Sequence, residues 1–167
     1  GLTLLAGIKV VSLEQFIAGP YCSSLLSDAG ADVVKVERPG TGEPRRTYEP
    51  RLGPEDDYVS GGFASYNRGK RSVELDLRSD EGREALLALL ADADVFLCNN
   101  RPGALERLGL GVPMLRERFP RLVICEITGF GVSGGPYAEW PAFDSVIQAM
   151  SGLSSLIGTA PDEPPLL

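Results

Sequence analysis

The stretch "IKVVSLEQFIAGPYCSSLLSDAGADVVKVER", residues 8–38, decides the fold of this chain. Its first part, 8–13, is a short β-branched run typical of a buried strand, and 31–38 is a second such run. Between them Gly19 marks a turn, apolar residues follow at helical spacing, and Gly30 ends the helix. Two strands joined by a helix of this length form a β-α-β unit, so we expect the strands to be parallel.

The rest of the chain continues this alternation of strands and helices. Residues 39–66 are rich in proline, glycine and charge and have no apolar period, so we predict a long loop there. We therefore predict an α/β fold: a Rossmann-like, open, mainly parallel sheet with helices on both faces. The further predicted strands are 72–77, 94–99 and 121–128, and the further predicted helices are 79–93, 102–107, 113–119 and 144–150.

Composition excludes several classes of chemistry. The 167 residues contain no histidine, which removes Ser-His-Asp and Cys-His nucleophile activation and any histidine-ligated metal. A net charge of −7 gives nucleic-acid binding no electrostatic support. The three cysteines are scattered and predict neither a disulfide framework nor a zinc site. We find no apolar run of membrane-span length and no signal peptide, and we expect a reduced, cytoplasmic compartment without a metal cofactor.

In open parallel sheets, ligands bind beyond the carboxyl ends of the strands. The turn Ala18-Gly19-Pro20 lacks the GxGxxG spacing of a dinucleotide site. It is either a plain strand-to-helix turn or a place where Gly19 lets a ligand approach the helix N–H groups. The loops that leave strand ends, and that we expect to line one face, are 14–20, 37–42, 99–103 and 128–136.

Basic and amide side chains lie near these loops. Arg38 ends a predicted strand, where it forms a surface ion pair or binds a phosphate with its planar donor fork. The segment "NRGKRS", 67–72, is a basic island in an acidic chain, which favours an anionic ligand over a solvated face. Asn99 and Asn100 follow another strand, a weak signal because asparagine is common in turns. Cys98 and Cys125 are predicted to be core residues.

Five motifs taken in order carry a family resemblance that spans essentially the whole chain. They are "LAGIKVVSLEQFIAGPYCSSLLSDAGADVVKVERPGTGEPRR" (5–46), "YNRGKRSVELDL" followed by "EGREALLALLADADVF" (66–77 and 81–96), "NNRPGALERLGLG" (99–111), "PRLVICEITGFGVSGGPY" (120–137) and "FDSVIQAMSGL" (143–153). In this order they resemble the amino-terminal part of the class III CoA-transferase family, also called CaiB/BaiF. That family includes formyl-CoA transferase, carnitine CoA-transferase and α-methylacyl-CoA racemase.

The resemblance implies that residues 1–167 are the amino-terminal part of a large CoA-binding domain, with the small domain and the carboxyl-terminal return segment absent. It implies an interlocked homodimer that acts on an acyl-CoA and a free carboxylic acid. The glycine-rich loop 129–135 is expected to shield the reaction from water. Carried over by position, the residues expected to contact CoA are Ile17 and Ala18 near the thioester, Arg38, Lys70 and Arg71 near the nucleotide, and Asn99, Asn100 and Arg107 along the same groove.

The chain also departs from family patterns in three places. The catalytic aspartate of the family is expected beyond Leu167, so we assign no catalytic residue here and expect the chain to be inactive alone. Racemase members carry a histidine where this chain has Phe143, which disfavours a two-base mechanism because phenylalanine cannot move a proton. Ile17 replaces a glutamine of formyl-CoA transferase, which favours a more apolar acyl group than oxalate or formate. The alternatives to CoA transfer are an acyl-CoA racemase or epimerase and a non-catalytic CoA-binding module.

Overall fold

The structure, a computed structural model, describes residues 3–132 and 135–157. It divides into two compact units, one ending at Ile127 and one beginning at Thr128. The strands of the first unit are β1 (Lys9–Leu13), β2 (Asp32–Glu37), β3 (Arg51–Leu52), β4 (Val59–Ser60), β5 (Arg71–Glu74), β6 (Val95–Cys98) and β7 (Val123–Glu126). Its helices are α1 (Ala18–Asp28), α2 (Gly61–Asn67), α3 (Asp80–Ala91), α4 (Ala104–Arg107) and α5 (Val112–Arg118), with a short 3-10 helix at Pro44–Thr47.

Five strands form one parallel sheet in the order β5-β2-β1-β6-β7, which confirms the predicted α/β fold. The central strand β1 pairs with β2 from Lys9 opposite Asp32, and with β6 from Val10 opposite Val95. Because the strands are parallel, the segments that follow β1, β2, β5 and β6 all emerge at one edge of the sheet.

Successive residues of β1 pack into different cores, as expected when side chains alternate across a sheet. Val11 belongs to a large cluster with Leu86 of α3 and Leu115 of α5. Val10 belongs to a smaller cluster with Val33 of β2, and Leu26 of α1 packs against that cluster. The helices therefore cover both faces of the sheet, and all of this packing lies within the first unit.

The predicted long loop 39–66 is wrong in its detail. The segment contains the 3-10 helix, the antiparallel pair β3–β4, and most of α2. Two-residue strands are too short to show periodicity, and two glycines at the start of α2 hide the helix. The Ser60 hydroxyl caps that helix by accepting a hydrogen bond from the Phe63 N–H at 3.2 Å.

Other boundaries differ by a few residues. Strand β5 ends at Glu74 rather than 77. Helix α4 begins after Gly103, whose φ of 75° lies in the left-handed region, rather than at Pro102. Strand β7 covers Val123–Glu126 rather than 121–128, and Val123 is 61% exposed because β7 is the outermost strand of the described sheet.

The second unit contains α6 (Asp144–Met150), which has the predicted bounds, and α7 (Ser154–Ile157). Tyr137 packs edge-on against Trp140, with ring centroids 4.9 Å apart. The glycine-rich loop 129–135 lies only partly within the described residues. In 3–132 and 135–157 no helix is both long enough and apolar enough to cross a membrane.

Candidate functional site

Strand β1 lies between β2 and β6, so the order in which the chain adds strands to the sheet reverses direction at β1. The chain passes from β1 through α1 to β2 on one side, and it returns on the other side at β6. The segments leaving the carboxyl ends of β1 and β6 therefore diverge, and this is where open α/β sheets bind ligands. The residues at this point are 14–18 after β1 and Asn99 and Asn100 after β6.

Asn99 joins the two strand ends. Its Oδ1 accepts a hydrogen bond from the Gln15 N–H at 2.8 Å, and its Nδ2 donates to the Gln15 carbonyl at 2.8 Å. One amide side chain thus satisfies both backbone groups of Gln15, which fixes the path of the chain between β1 and α1. Asn100, the neighbouring predicted site residue, is half-buried.

The turn between β1 and α1 contains a strained residue. Phe16 has a φ of 65°, a left-handed conformation that costs a non-glycine residue about 1–2 kcal/mol. Its N–H donates to Glu43 Oε1 at 2.9 Å, and this bond helps to hold it there. Ile17 and Ala18 follow and are exposed, and no side chain caps the amino end of α1. Strained backbone of this kind is common at ligand sites.

Gly19 has a different role from the one considered in the sequence. A Cβ at Gly19 would lie 2.8 Å from Glu14 Cβ and 2.9 Å from Asn99 Cγ. Gly19 is buried, so the missing side chain makes room for two protein side chains rather than for a ligand. The glycine is required because α1 packs closely against the ends of β1 and β6.

Beneath this turn lies a buried ionic network that the sequence analysis missed. Lys35 of β2 is 1% exposed, and its Nζ lies 2.5 Å from Glu43 Oε2 and 3.6 Å from Glu14 Oε1. Both glutamates are also buried. A sequence signal existed, because Lys35 interrupts a valine-rich strand and a buried charge requires a partner. The partners could not be read from the sequence, since Glu14 is 21 residues away.

Lys70 is part of the same network. Its Nζ donates to Glu14 Oε1 at 2.9 Å, to the Pro20 carbonyl at 2.8 Å and to Asn67 Oδ1 at 3.0 Å. Burial lowers the pKa of Lys70 below its ordinary value, and the neighbouring Glu14 carboxylate opposes that effect. The ammonium has three donors, and all three are used within the protein.

A second pair extends the network toward solvent. Glu37 at the end of β2 accepts two hydrogen bonds from Arg46, at 2.7 and 2.6 Å, and one from the Ser72 hydroxyl at 2.7 Å. The Glu43 N–H donates to it at 2.8 Å. Burial alone raises the pKa of Glu37, but these hydrogen bonds outweigh it and bring the pKa to about 2.

The other basic residues predicted to bind CoA are spread over the surface. Arg38 is exposed at the carboxyl edge of the sheet, and its side chain has no ion pair or hydrogen bond to a described residue. Arg107 is exposed at the end of α4 and folds back toward Gly103. Arg71 begins β5, at the opposite edge of the sheet, where it pairs with Asp32. The structure thus brings Ile17, Ala18, Arg38, Asn99 and Asn100 to one edge and does not bring Arg71 there.

A pocket of about 250 Å³ lies beyond the carboxyl end of β2, where Arg46, Ser60 and Phe63 are in its lining and Arg46 donates a hydrogen bond to Glu37. A pocket of about 260 Å³ lies against the beginning of β1, with Lys9, Asp32 and Arg71 in its lining. Burial raises the pKa of the Cys98 thiol to about 12, as expected for a core cysteine. Across 3–132 and 135–157, no cluster of three or more histidine, cysteine or acidic side chains is arranged to hold a metal ion.

Comparisons with known proteins agree on one family. The model of CoA-transferase family III matches residues 5–167. A succinyl-CoA:mesaconate CoA-transferase from Haloarcula hispanica is 46% identical over 162 residues, which are 95% of this chain and 40% of that protein. An acetyl-CoA:oxalate CoA-transferase from Acetobacter aceti is 40% identical over 159 residues, 95% of this chain and 39% of that protein. This chain thus spans about 40% of the length of such curated relatives.

The fold comparison gives the same result. The crystal structure of a CaiB/BaiF family protein from Brucella suis superposes with a TM-score of 0.91 and 42% identity. It covers 100% of this chain, and the match extends over 44% of that protein. A Mycobacterium tuberculosis protein superposes with a TM-score of 0.88 and 36% identity, over 99% of this chain and 45% of its own length.

Proposed function

Because the chain belongs to CoA-transferase family III, we propose that it is the amino-terminal, CoA-binding part of an enzyme that moves CoA from an acyl-CoA thioester to a free carboxylic acid. The observation that carries the proposal is the strained turn at Phe16, held by Asn99 and Glu43 at the reversal point of the sheet. A rigid turn with an uncapped helix start beside it can hold a ligand close to the backbone.

The predicted contact residues differ in how they fit this proposal. Ile17 and Ala18 are exposed on the turn and lie near the thioester, and Asn99 and Asn100 line the groove beside it. Arg38 is unpaired among the described residues, so it can bind a phosphate of CoA without losing another partner. Lys70 is engaged with Glu14, so binding CoA requires it to exchange that partner. Arg71 lies at the opposite edge of the sheet, paired with Asp32, and is not part of this arrangement. Arg107 lies farther along the groove.

The chemistry of transfer requires a nucleophilic carboxylate. We place it in the part of the longer relatives that this chain does not span, in keeping with the expectation of an aspartate beyond Leu167. Attack of that carboxylate on the thioester carbonyl breaks the C–S bond, forms a mixed anhydride and releases the CoA thiolate. In the described residues the contribution is to bind and orient CoA, which lowers the barrier by positioning the thioester.

We further propose that the complete protein is an interlocked cytoplasmic homodimer. The family resemblance supports the dimer, and three free cysteines fit a reducing compartment. Light scattering after size-exclusion chromatography of the complete protein tests the dimer, and a monomeric mass would contradict it.

The activity itself is tested by isotope exchange. The complete protein is incubated with an acyl-CoA and the corresponding ¹³C-labelled free acid, and the label is expected to enter the acyl-CoA pool without net hydrolysis. Exchange that is absent with every acid tried would sink the proposal. Scrambling of an α-methyl stereocentre without exchange would instead identify a racemase.

A charge reversal at Arg38 tests the nucleotide end of the site. We expect Arg38→Glu to weaken CoA binding by about 10-fold or more, because a phosphate loses its cation and meets a carboxylate. The matched control is Arg121→Glu, an exposed arginine just before β7 at the other edge of the sheet. Both variants change the net charge equally, so equal effects in a calorimetric titration with CoA would remove Arg38 from the site.

A further inference from the structure

Arg45, in the 3-10 helix, is a half-buried cation without an acidic partner. Its guanidinium carbon lies 5.7 Å from the Tyr48 ring centroid and 5.4 Å from that of Tyr66. Its Nε is buried and has no hydrogen-bond partner, and its terminal nitrogens make no hydrogen bond to a described residue. The terminal nitrogens are not among the buried atoms, so the outer face of the guanidinium is open to a ligand while no described residue satisfies it.

The acidic residues next to Arg45 are already neutralised by other cations. Glu43 pairs with Lys35, and Glu37 accepts two hydrogen bonds from Arg46. Nothing among the described side chains competes for the donor fork of Arg45. An anion is therefore the ligand that its chemistry favours.

Two aromatic contacts place Arg45 beside the turn between β1 and α1. Tyr48 packs edge-on against Phe16 with centroids 6.4 Å apart, and Tyr66 packs edge-on against Tyr21 at 6.2 Å. Both rings that flank the guanidinium thus reach the segment 16–21 from opposite ends. Ile17 is 46% exposed between those ends and offers apolar surface there.

We infer that Arg45 binds the second carboxylate of a dicarboxylic acyl group, an assignment that rests on the proposed CoA transfer. The thioester is positioned at Ile17 and Ala18, the methylenes of the acyl chain contact the apolar side chains of the turn, and the distal carboxylate meets the guanidinium fork. An acid with methylenes between its two carboxyl groups suits this arrangement better than oxalate, which has none. The apolar character of Ile17 and the cation at Arg45 thus serve two parts of one substrate.

The test compares two acids of the same length in the complete protein. Succinate and butyrate differ only in that one end of the chain is a carboxylate or a methyl group. We expect Arg45→Met to raise KM for succinate by about 10- to 100-fold, because a charge-assisted hydrogen bond is lost, and to change KM for butyrate by less than about 2-fold. Equal losses on both acids, or an equal rise in the Kd of free CoA, would show that Arg45 binds a CoA phosphate or only supports the fold, and either result overturns the inference.

A second variant moves the guanidinium without removing it. A Cβ at Gly62 would lie 2.5 Å from Arg45 Nη2, the flexible end of the side chain, so Gly62→Ala displaces the cation at little cost to the backbone. Gly62 lies in α2 without a positive φ, and alanine favours helix more than glycine does. Gly62→Ala is therefore expected to keep its thermal stability and still lose the preference for succinate. An unchanged preference would overturn the inference even where Arg45→Met fails to fold.

A control variant and the wild-type protein distinguish failure of the Arg45 assignment from failure of the proposed CoA transfer. Arg51→Met removes an arginine that also lies over a tyrosine ring, at 4.5 Å from Tyr58, but that is already paired with Glu49. It is expected to leave both KM values unchanged, and a selective loss for succinate here would overturn the assignment to Arg45. Wild-type protein that exchanges CoA equally well with both acids overturns the inference alone, whereas exchange with no acid overturns the proposed function as well.

Discussion

Lys35→Met is expected to lower the free energy of unfolding by about 3–5 kcal/mol, because it removes the cation between two buried carboxylates. Lys35 Nζ lies within 4 Å of both Glu14 and Glu43, and all three side chains are at most 1% exposed. Methionine fills a similar volume but leaves the buried Glu43 without its ion-pair partner, and Glu14 then keeps only its ion pair with Lys70 among the described residues. Chemical denaturation of the complete protein measures the change.

Two variants make this result specific to the buried charge. Lys9→Met removes an exposed lysine that pairs with Asp92 at the surface, and we expect little change in its denaturation curve. Adding Glu43→Gln to Lys35→Met is expected to recover part of the loss, because glutamine keeps an acceptor for the Phe16 N–H and carries no charge. If Lys35→Met alone is as stable as wild type, the two buried carboxylates do not need Lys35.

The same network holds the turn at which we propose that CoA binds. Glu43 is held by Lys35 and in turn accepts the hydrogen bond of Phe16, the strained residue of the turn. Glu14 is held by Lys35 and Lys70, and its Cβ sets the space into which Gly19 fits. Paired ions that are buried beneath a turn fix its shape better than exposed ones, because solvent does not compete for their partners.

The strands and helices that were predicted correctly are those whose hydrophobic period and turn residues lie close together in the sequence. The β-α-β unit 8–38 was readable because a β-branched run, a helical period and a closing glycine occur within 31 consecutive residues. Helix α6 was equally readable, from Asp144 to Met150. Each of these elements carries its own start and stop signals, so no distant residue was needed to place it.

The features that the sequence does not reveal depend on partners that are distant in sequence. Lys70 was predicted to contact CoA because it lies in a basic run, but its ammonium is bound by Glu14, 56 residues away, which no charge count reveals. Arg71 lies in the same run, yet the strand register carries it to the opposite edge of the sheet. Whether a lysine is free or paired is decided by tertiary packing, so the CoA-contacting residues stay predictions.

The acid sensitivity of the fold is expected to depend on Glu37. With a pKa of about 2 in the folded protein, against 4.5 ordinarily, its carboxylate stabilises the fold fully above about pH 4.5 and loses that effect as the pH falls toward 2. We expect Glu37→Gln to lower the free energy of unfolding by about 2 kcal/mol at pH 6, allowing for solvent screening of the partly exposed Arg46. The difference in stability between the two proteins is expected to shrink by roughly half at pH 3.

Urea denaturation of both proteins at pH 6, 4 and 3 measures this difference, with Asp76→Asn as the control. Asp76 also has a lowered pKa, caused by Arg78, but it is exposed, and its replacement should change the curves far less. A gap between wild type and Glu37→Gln that stays constant from pH 6 to pH 3 would show that Glu37 acts through packing and hydrogen bonds that do not depend on its charge.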